Sequence, residues 1–123
     1  MTENKKIKKP WPTKDAMVQI YEGNLWGGNK REFYSGLGSH HPELVDPFIA
    51  VVSAFLKDFE TPPVVCDLGC GDFNIGKELM KYSKKYISID IVQNLLAHNK
   101  KEFQAENLEF TIRILPRMSL INI

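Results

Sequence analysis

The chain has 123 residues, 43% of them hydrophobic and 25% charged, the balance of an ordinary globular domain in water. Its 16 basic and 15 acidic residues leave a net charge of +1, which supplies no bulk attraction to nucleic acid or to an anionic membrane. No apolar stretch reaches the length of a membrane span, and no apolar core follows the first lysines, so a cytoplasmic protein is expected.

Residues 1–12 read as a flexible basic tail, with Lys5, Lys6, Lys8 and Lys9 ahead of Trp11-Pro12. From Thr13, placed to act as an N-cap, a helical pattern to Glu22 sets Met17, Ile20 and Tyr21 on one side. A long glycine-bearing segment follows, with Trp26-Gly27-Gly28 and then Phe33-Tyr34-Ser35-Gly36-Leu37-Gly38-Ser39. Its aromatics are of buried type, which argues against disorder, and segments of this length within a domain usually carry function. Gly36, Gly38 and Ser39, beside His40 and His41, suit either a lid that touches a ligand or a plain surface turn. Asp46-Pro47 then reads as a helix start, and Phe48, Val51, Val52, Phe55, Leu56 and Phe59 recur at helical spacing. Thr61-Pro62-Pro63 stops that helix, so residues 13–62 form one unit of helices and a lid-like segment.

The run Val64-Val65-Cys66 has the continuous apolar character of a parallel strand covered on both faces and paired on both edges. It ends in Asp67, and Gly69 and Gly71 follow at alternate positions, marking a tight turn into a helix. Asn74 is placed to cap that helix, with Ile75, Leu79 and Met80 inward and Lys77, Lys81, Lys84 and Lys85 outward. A second strand, Tyr86-Ile87-Ser88-Ile89, ends in Asp90. A third helix carries Val92, Leu95, Leu96 and Phe103, and a last strand alternates Leu108, Phe110, Ile112 and Ile114 before Leu115-Pro116. Right-handed crossovers place these three strands side by side in the order 3-2-1.

A strand ending in an acid, then glycines, then a helix is the usual nucleotide-cofactor corner of a doubly wound sheet. Asp90, at the end of the next strand, can accept from both hydroxyls of a ribose. The two cysteines, Cys66 and Cys70, lack a second pair and read as small buried residues of a reducing compartment. Adjacent His40 and His41 point apart, so no metal site is expected. His40 as a general base has no partner visible in the sequence.

These residues resemble the class I S-adenosylmethionine-dependent methyltransferases. Asp67, Gly69 and Gly71 match the family's acid-x-Gly-x-Gly motif, and Asp90 matches the acid that holds the ribose. Phe73 stands where the fuller motif has a third glycine, with Gly76 a substitute three residues on. The resemblance spans roughly Pro63 to Phe110. It implies a Rossmann-like three-layer α/β fold of which residues 63–123 are the cofactor-binding first half, with S-adenosyl-L-methionine as cofactor. It further implies Asp67 near the methionine ammonium, Asp90 on the ribose, Ile91 against the adenine, and Gly36, Gly38 and Ser39 over the methionine end. Methyl transfer to a small-molecule or glycan-type acceptor is then expected, with the catalytic residues unassigned.

Two rivals stand beside this reading. A dinucleotide-binding Rossmann unit needs a third glycine where Asn74 lies, and its pyrophosphate would meet Asp67 and Asp72, which suit a sulfonium and an ammonium better. Alternatively, the chain is a non-enzymatic fragment binding at most a nucleoside or a partner chain. The family's sheet continues beyond the first strand, and Leu115-Pro116 stands where a polar residue usually meets the adenine, so a truncated or frameshifted end is expected. An open first-strand edge would then invite self-association.

Overall fold

A computed structural model describes residues 13–28 and 33–112. The basic tail, Ile114, Leu115-Pro116 and the residues after them lie outside the described part.

Helix α1 covers Thr13–Glu22, a one-turn 3-10 helix Leu37–Ser39, and helix α2 Pro42–Lys57. Strand β1 follows at Val64–Leu68, short helix α3 at Gly76–Leu79, a second 3-10 turn at Met80–Tyr82, and strand β2 at Lys85–Asp90. Helix α4, Gln93–Glu102, leads to strand β3, Leu108–Ile112. The strands form one parallel sheet in the expected order, β2 in the centre. Val65 lies opposite Tyr86 and Asp67 opposite Ser88, then Tyr86 opposite Leu108 and Ser88 opposite Phe110. This is the first part of a Rossmann-like methyltransferase fold, and its registry carries Asp67 and Asp90 to the same end of the sheet.

One sheet face holds the core. Tyr86 and Phe110, with Val65 and Leu108 beside them, pack on Leu56 of α2, Leu79 of α3 and Leu96 of α4. Phe73 is wholly buried at the centre, with Tyr86, Phe103 and Phe110 edge-on around it. A second cluster joins Tyr21 of α1 to Ile91, Val92 and Leu95, where α1 closes the carboxyl end of the strands. Among the described residues no helix is long and apolar enough to cross a membrane.

Four expectations change. Helix α2 begins at Pro42, capped by the His41 side chain, which accepts from the Glu43 N–H at 3.3 Å, so Pro47 lies inside the helix. Only Val45, Ser53 and Leu56 of α2 are buried, whereas Phe48, Val51 and Phe55 of the expected inward face are exposed. Asn74 does not cap α3, since Ile75 holds that position and the Asn74 amide donates instead to the Ser39 carbonyl at 2.7 Å. Finally, β1 is not covered on both faces: Val64, Cys66 and Leu68 are exposed while Val65 and Asp67 are half-buried. Beyond β1 no further strand pairs among the described residues.

Candidate functional site

At the carboxyl end of the sheet lies a cavity of about 380 Å³. Its floor is the turn after β1, its walls are α1, the segment around Ser35 and Ser39, α3 and the end of β2. The turn exists because Gly69 and Gly71 adopt φ of 80° and 56°, a region costly for residues with a Cβ. A Cβ at Gly71 would also press the Tyr21 hydroxyl at 3.0 Å and Ser35 Cβ at 3.2 Å, so two distant segments close onto this one residue. Phe73 keeps the left-handed conformation, φ 67°, although it carries a large side chain.

Two carboxylates frame the turn. Asp90 is 5% exposed and holds three backbone N–H groups: Gly71 on one oxygen at 3.1 Å, Ile91 and Val92 on the other at 2.8 and 3.2 Å. It therefore ties the glycine turn to the start of α4, and about one of its roughly four acceptor positions is left over. Asp67 accepts from the Tyr86 hydroxyl at 2.9 Å. Burial raises the Asp67 pKa above the usual carboxylate value, the Tyr86 hydrogen bond partly offsets this, and the Asp90 charge adds to the rise. Burial likewise pushes the Cys70 thiol up, with Asp90 and Asp67 adding to it, so it stays a thiol and is no nucleophile at neutral pH. Tyr21 and Tyr86 are raised by burial first and by the neighbouring acids second.

Asp72 is the third acid on the cavity wall, and it fastens the glycine-rich segment. One oxygen takes the Ser35 hydroxyl at 2.8 Å and the Asn74 N–H at 3.2 Å, the other the Ser35 N–H at 3.1 Å and His40 Nε2 at 2.6 Å. The Tyr34 ring stacks on His40 at 4.3 Å between centroids. His40 thus has a carboxylate partner, and it lies behind the cavity wall rather than on it. Asn99 of α4 is wholly buried, and its amide donates to the Gly71 carbonyl at 2.8 Å.

Of the residues singled out in the sequence, Asp67, Gly69, Gly71, Asp90 and Ser39 meet at the cavity. Gly36 heads the 3-10 turn at φ 93°, Gly38 opens away from neighbouring atoms, and Ile91 sits 5% exposed in the second cluster. None of the three lines the cavity. Sequence reading passed over Tyr21, Ser35, Tyr86 and Asn99 as site residues and gave Asp72 only a charge. Asn99 had a signal: it is a polar residue four places after Leu95, on the buried stripe of α4.

The cavity lining combines apolar Met17, Trp26, Phe48 and Leu79 with acidic Asp67, Asp72 and Asp90. No lysine, arginine or histidine lines it among the described residues. The cavity lies at the carboxyl ends of the strands of a Rossmann-like methyltransferase fold, of which three are described. Compared by sequence, the chain matches no family model and no curated protein. Compared by structure, it is similar to a SAM-dependent methyltransferase from Anabaena variabilis ATCC 29413, with a TM-score of 0.61 at 20% identity. That match covers 85% of this chain and 40% of the other, so the matched part spans two fifths of that structure's length.

Proposed function

We propose that the cavity binds S-adenosyl-L-methionine and that the chain serves methyl transfer. The observation that carries the reading is the lining itself: three carboxylates, several apolar side chains and, among the described residues, no basic side chain around a glycine turn at the strand ends. A ligand there should carry positive charge and an apolar body without phosphate. A sulfonium and an ammonium on a nucleoside meet that description, whereas the pyrophosphate of NAD would face Asp67 and Asp72 with no cation among the described lining residues to pair it. The likeness to a SAM-dependent methyltransferase points the same way.

In this reading Asp67 faces the ammonium with the oxygen that Tyr86 does not occupy. Gly69 and Gly71 let the ligand approach the backbone, and Asp90 offers its remaining acceptor position to a ribose hydroxyl. Ser39 and Ser35 also line the cavity, with Ser35 held against the turn by Asp72. The bound cofactor would supply an activated methyl group. The protein aligns an acceptor and excludes water. The near-neutral net charge supports a small molecule or a glycan as acceptor over nucleic acid.

Calorimetry of the chain with S-adenosylhomocysteine, S-adenosylmethionine and NAD tests the reading. Both adenosyl ligands should bind and NAD should not, and Asp67→Asn should weaken S-adenosylmethionine by about tenfold, or roughly 1.4 kcal/mol. Tighter binding of NAD, or an Asp67→Asn chain that binds as well as the parent, would sink it. Labelled methyl transfer by the same chain separates an enzyme from a fragment that binds the cofactor without turnover.

A further inference from the structure

The edge of β1 that pairs with no strand among the described residues and the helix above it form one surface. Leu44, Phe48, Val51 and Phe55 recur at i, i+4, i+7 and i+11, a single stripe along α2 that Phe59 continues past its end. These five side chains are 45–70% exposed, and the rings of Phe55 and Phe59 meet at 5.2 Å. The opposite flank of α2 lies on the second 3-10 turn, where Lys57 sits over the Tyr82 ring at 4.7 Å. Between the two flanks, Ile49, Val52 and Leu56 face the core. The stripe therefore overhangs the side of the sheet where β1 has no neighbour among the described residues.

That edge carries none of the usual guards. Val64–Leu68 contains no lysine, proline or bulge, and its one charge, Asp67, turns into the cavity. The Gly69 N–H donates to Ile89 of β2 at 2.8 Å, so by alternation the backbone groups of Val65 and Asp67 also turn to β2. Those of Val64, Cys66 and Leu68 point out from the edge.

We infer that this surface is an interface between two copies of the chain, with β1 pairing antiparallel to β1 of its mate about a two-fold axis at Cys66. Cys66 then faces Cys66 of the second copy as a hydrogen-bonded pair, Val64 faces Leu68, and three strands become six. An axis normal to the sheet keeps both α2 helices on the same face and brings their apolar stripes together. The size fits. The stripe with Val64 and Leu68 exposes roughly 700 Å² per copy, so a pair can cover about 1,400 Å², within the ~1,200–2,000 Å² of stable interfaces. The inference does not depend on what the cavity binds.

Sedimentation velocity over about a hundredfold range of protein concentration reads the assembly directly. A monomer–dimer equilibrium is expected, and Phe55→Lys, at a site 64% exposed, should weaken it at least about tenfold without lowering the melting temperature of the monomer. Copper-catalysed oxidation should crosslink the dimer through Cys66, because facing Cα atoms ~5.5 Å apart lie in disulfide range. Cys66→Ser should abolish the crosslink and keep the dimer. A monomer at every concentration overturns the inference. A dimer untouched by Phe55→Lys, or one that Cys66 cannot crosslink, overturns it as well.

Discussion

Gly76 and Phe73 act as one unit. A Cβ on Gly76 would sit 2.5 Å from Cδ2 of the Phe73 ring and 3.3 Å from an Asp67 oxygen, so the aromatic at 73 is tolerated only because residue 76 has no side chain. Gly76→Ala should therefore cost about 1–3 kcal/mol by overpacking. In a Phe73→Leu background, which removes the ring, the penalty should fall by at least half. Urea denaturation of the four variants reads this coupling, and strictly additive effects would contradict it. Asp67 gives a second test. Its folded pKa is raised, so the folded chain holds this proton more tightly than the unfolded one. That contribution to stability is complete below the unfolded value and is lost as pH rises through the folded one. Asp67→Asn should raise the melting temperature at neutral pH and flatten its decline between mildly acid and neutral conditions, while weakening the cationic ligand. The acids and glycines of the turn were legible in the sequence because their spacing is local. Asp72 to Ser35 and Asn99 to Gly71 were not, since each pairing crosses a long stretch of chain that only the fold brings together.

At the scale of elements, α2 shows how two start signals compete. Asp46-Pro47 has the sequence of a helix start, yet the chain already turns at His41, and Pro42 occupies the first helical position where its missing N–H costs nothing. Pro47 then falls in the helix interior, where it has no N–H to give to the preceding turn. Pro47→Ala should accordingly stabilise the chain by about 1–3 kcal/mol, since the helix gains a hydrogen bond and loses a clash. Thermal melts check the sign, and a destabilised variant would mean that the proline shapes the approach of the segment around Ser39. The strands and their order were readable because period and crossover handedness fix them. The inward face of α2 was not, because its stripe of phenylalanines is as apolar as its core-facing side. Periodicity reports that a face is apolar and cannot say whether these residues have anything to pack on.

At the scale of the whole molecule, five separate stretches of chain meet at the cavity. They are Tyr21 at the end of α1, Ser35 to Ser39, Phe48 of α2, the turn after β1 and Asp90 at the end of β2. They are joined by a few polar ties, chiefly Asp72 to Ser35 and His40 and Asp90 to Gly71, and by Tyr21 against Ile91 and Leu95. In a single copy, large side chains such as Val51, Phe55 and Val64 stay in water, each forfeiting up to roughly 1.5–3 kcal/mol of burial against a typical stability of about 5–15 kcal/mol. A chain with so narrow a margin should respond strongly to anything that bridges these stretches. With S-adenosylhomocysteine at about one hundred times its dissociation constant, linkage adds about 2.7 kcal/mol. For a domain of this size that corresponds to a rise in melting temperature of several degrees. Amide exchange should slow together at Tyr21, Ser35, Gly71 and Ile91, and not in β3 or at the far end of α2. Protection confined to the glycine turn would show instead that the ligand rests on the strand ends without drawing α1 and the serine segment onto it.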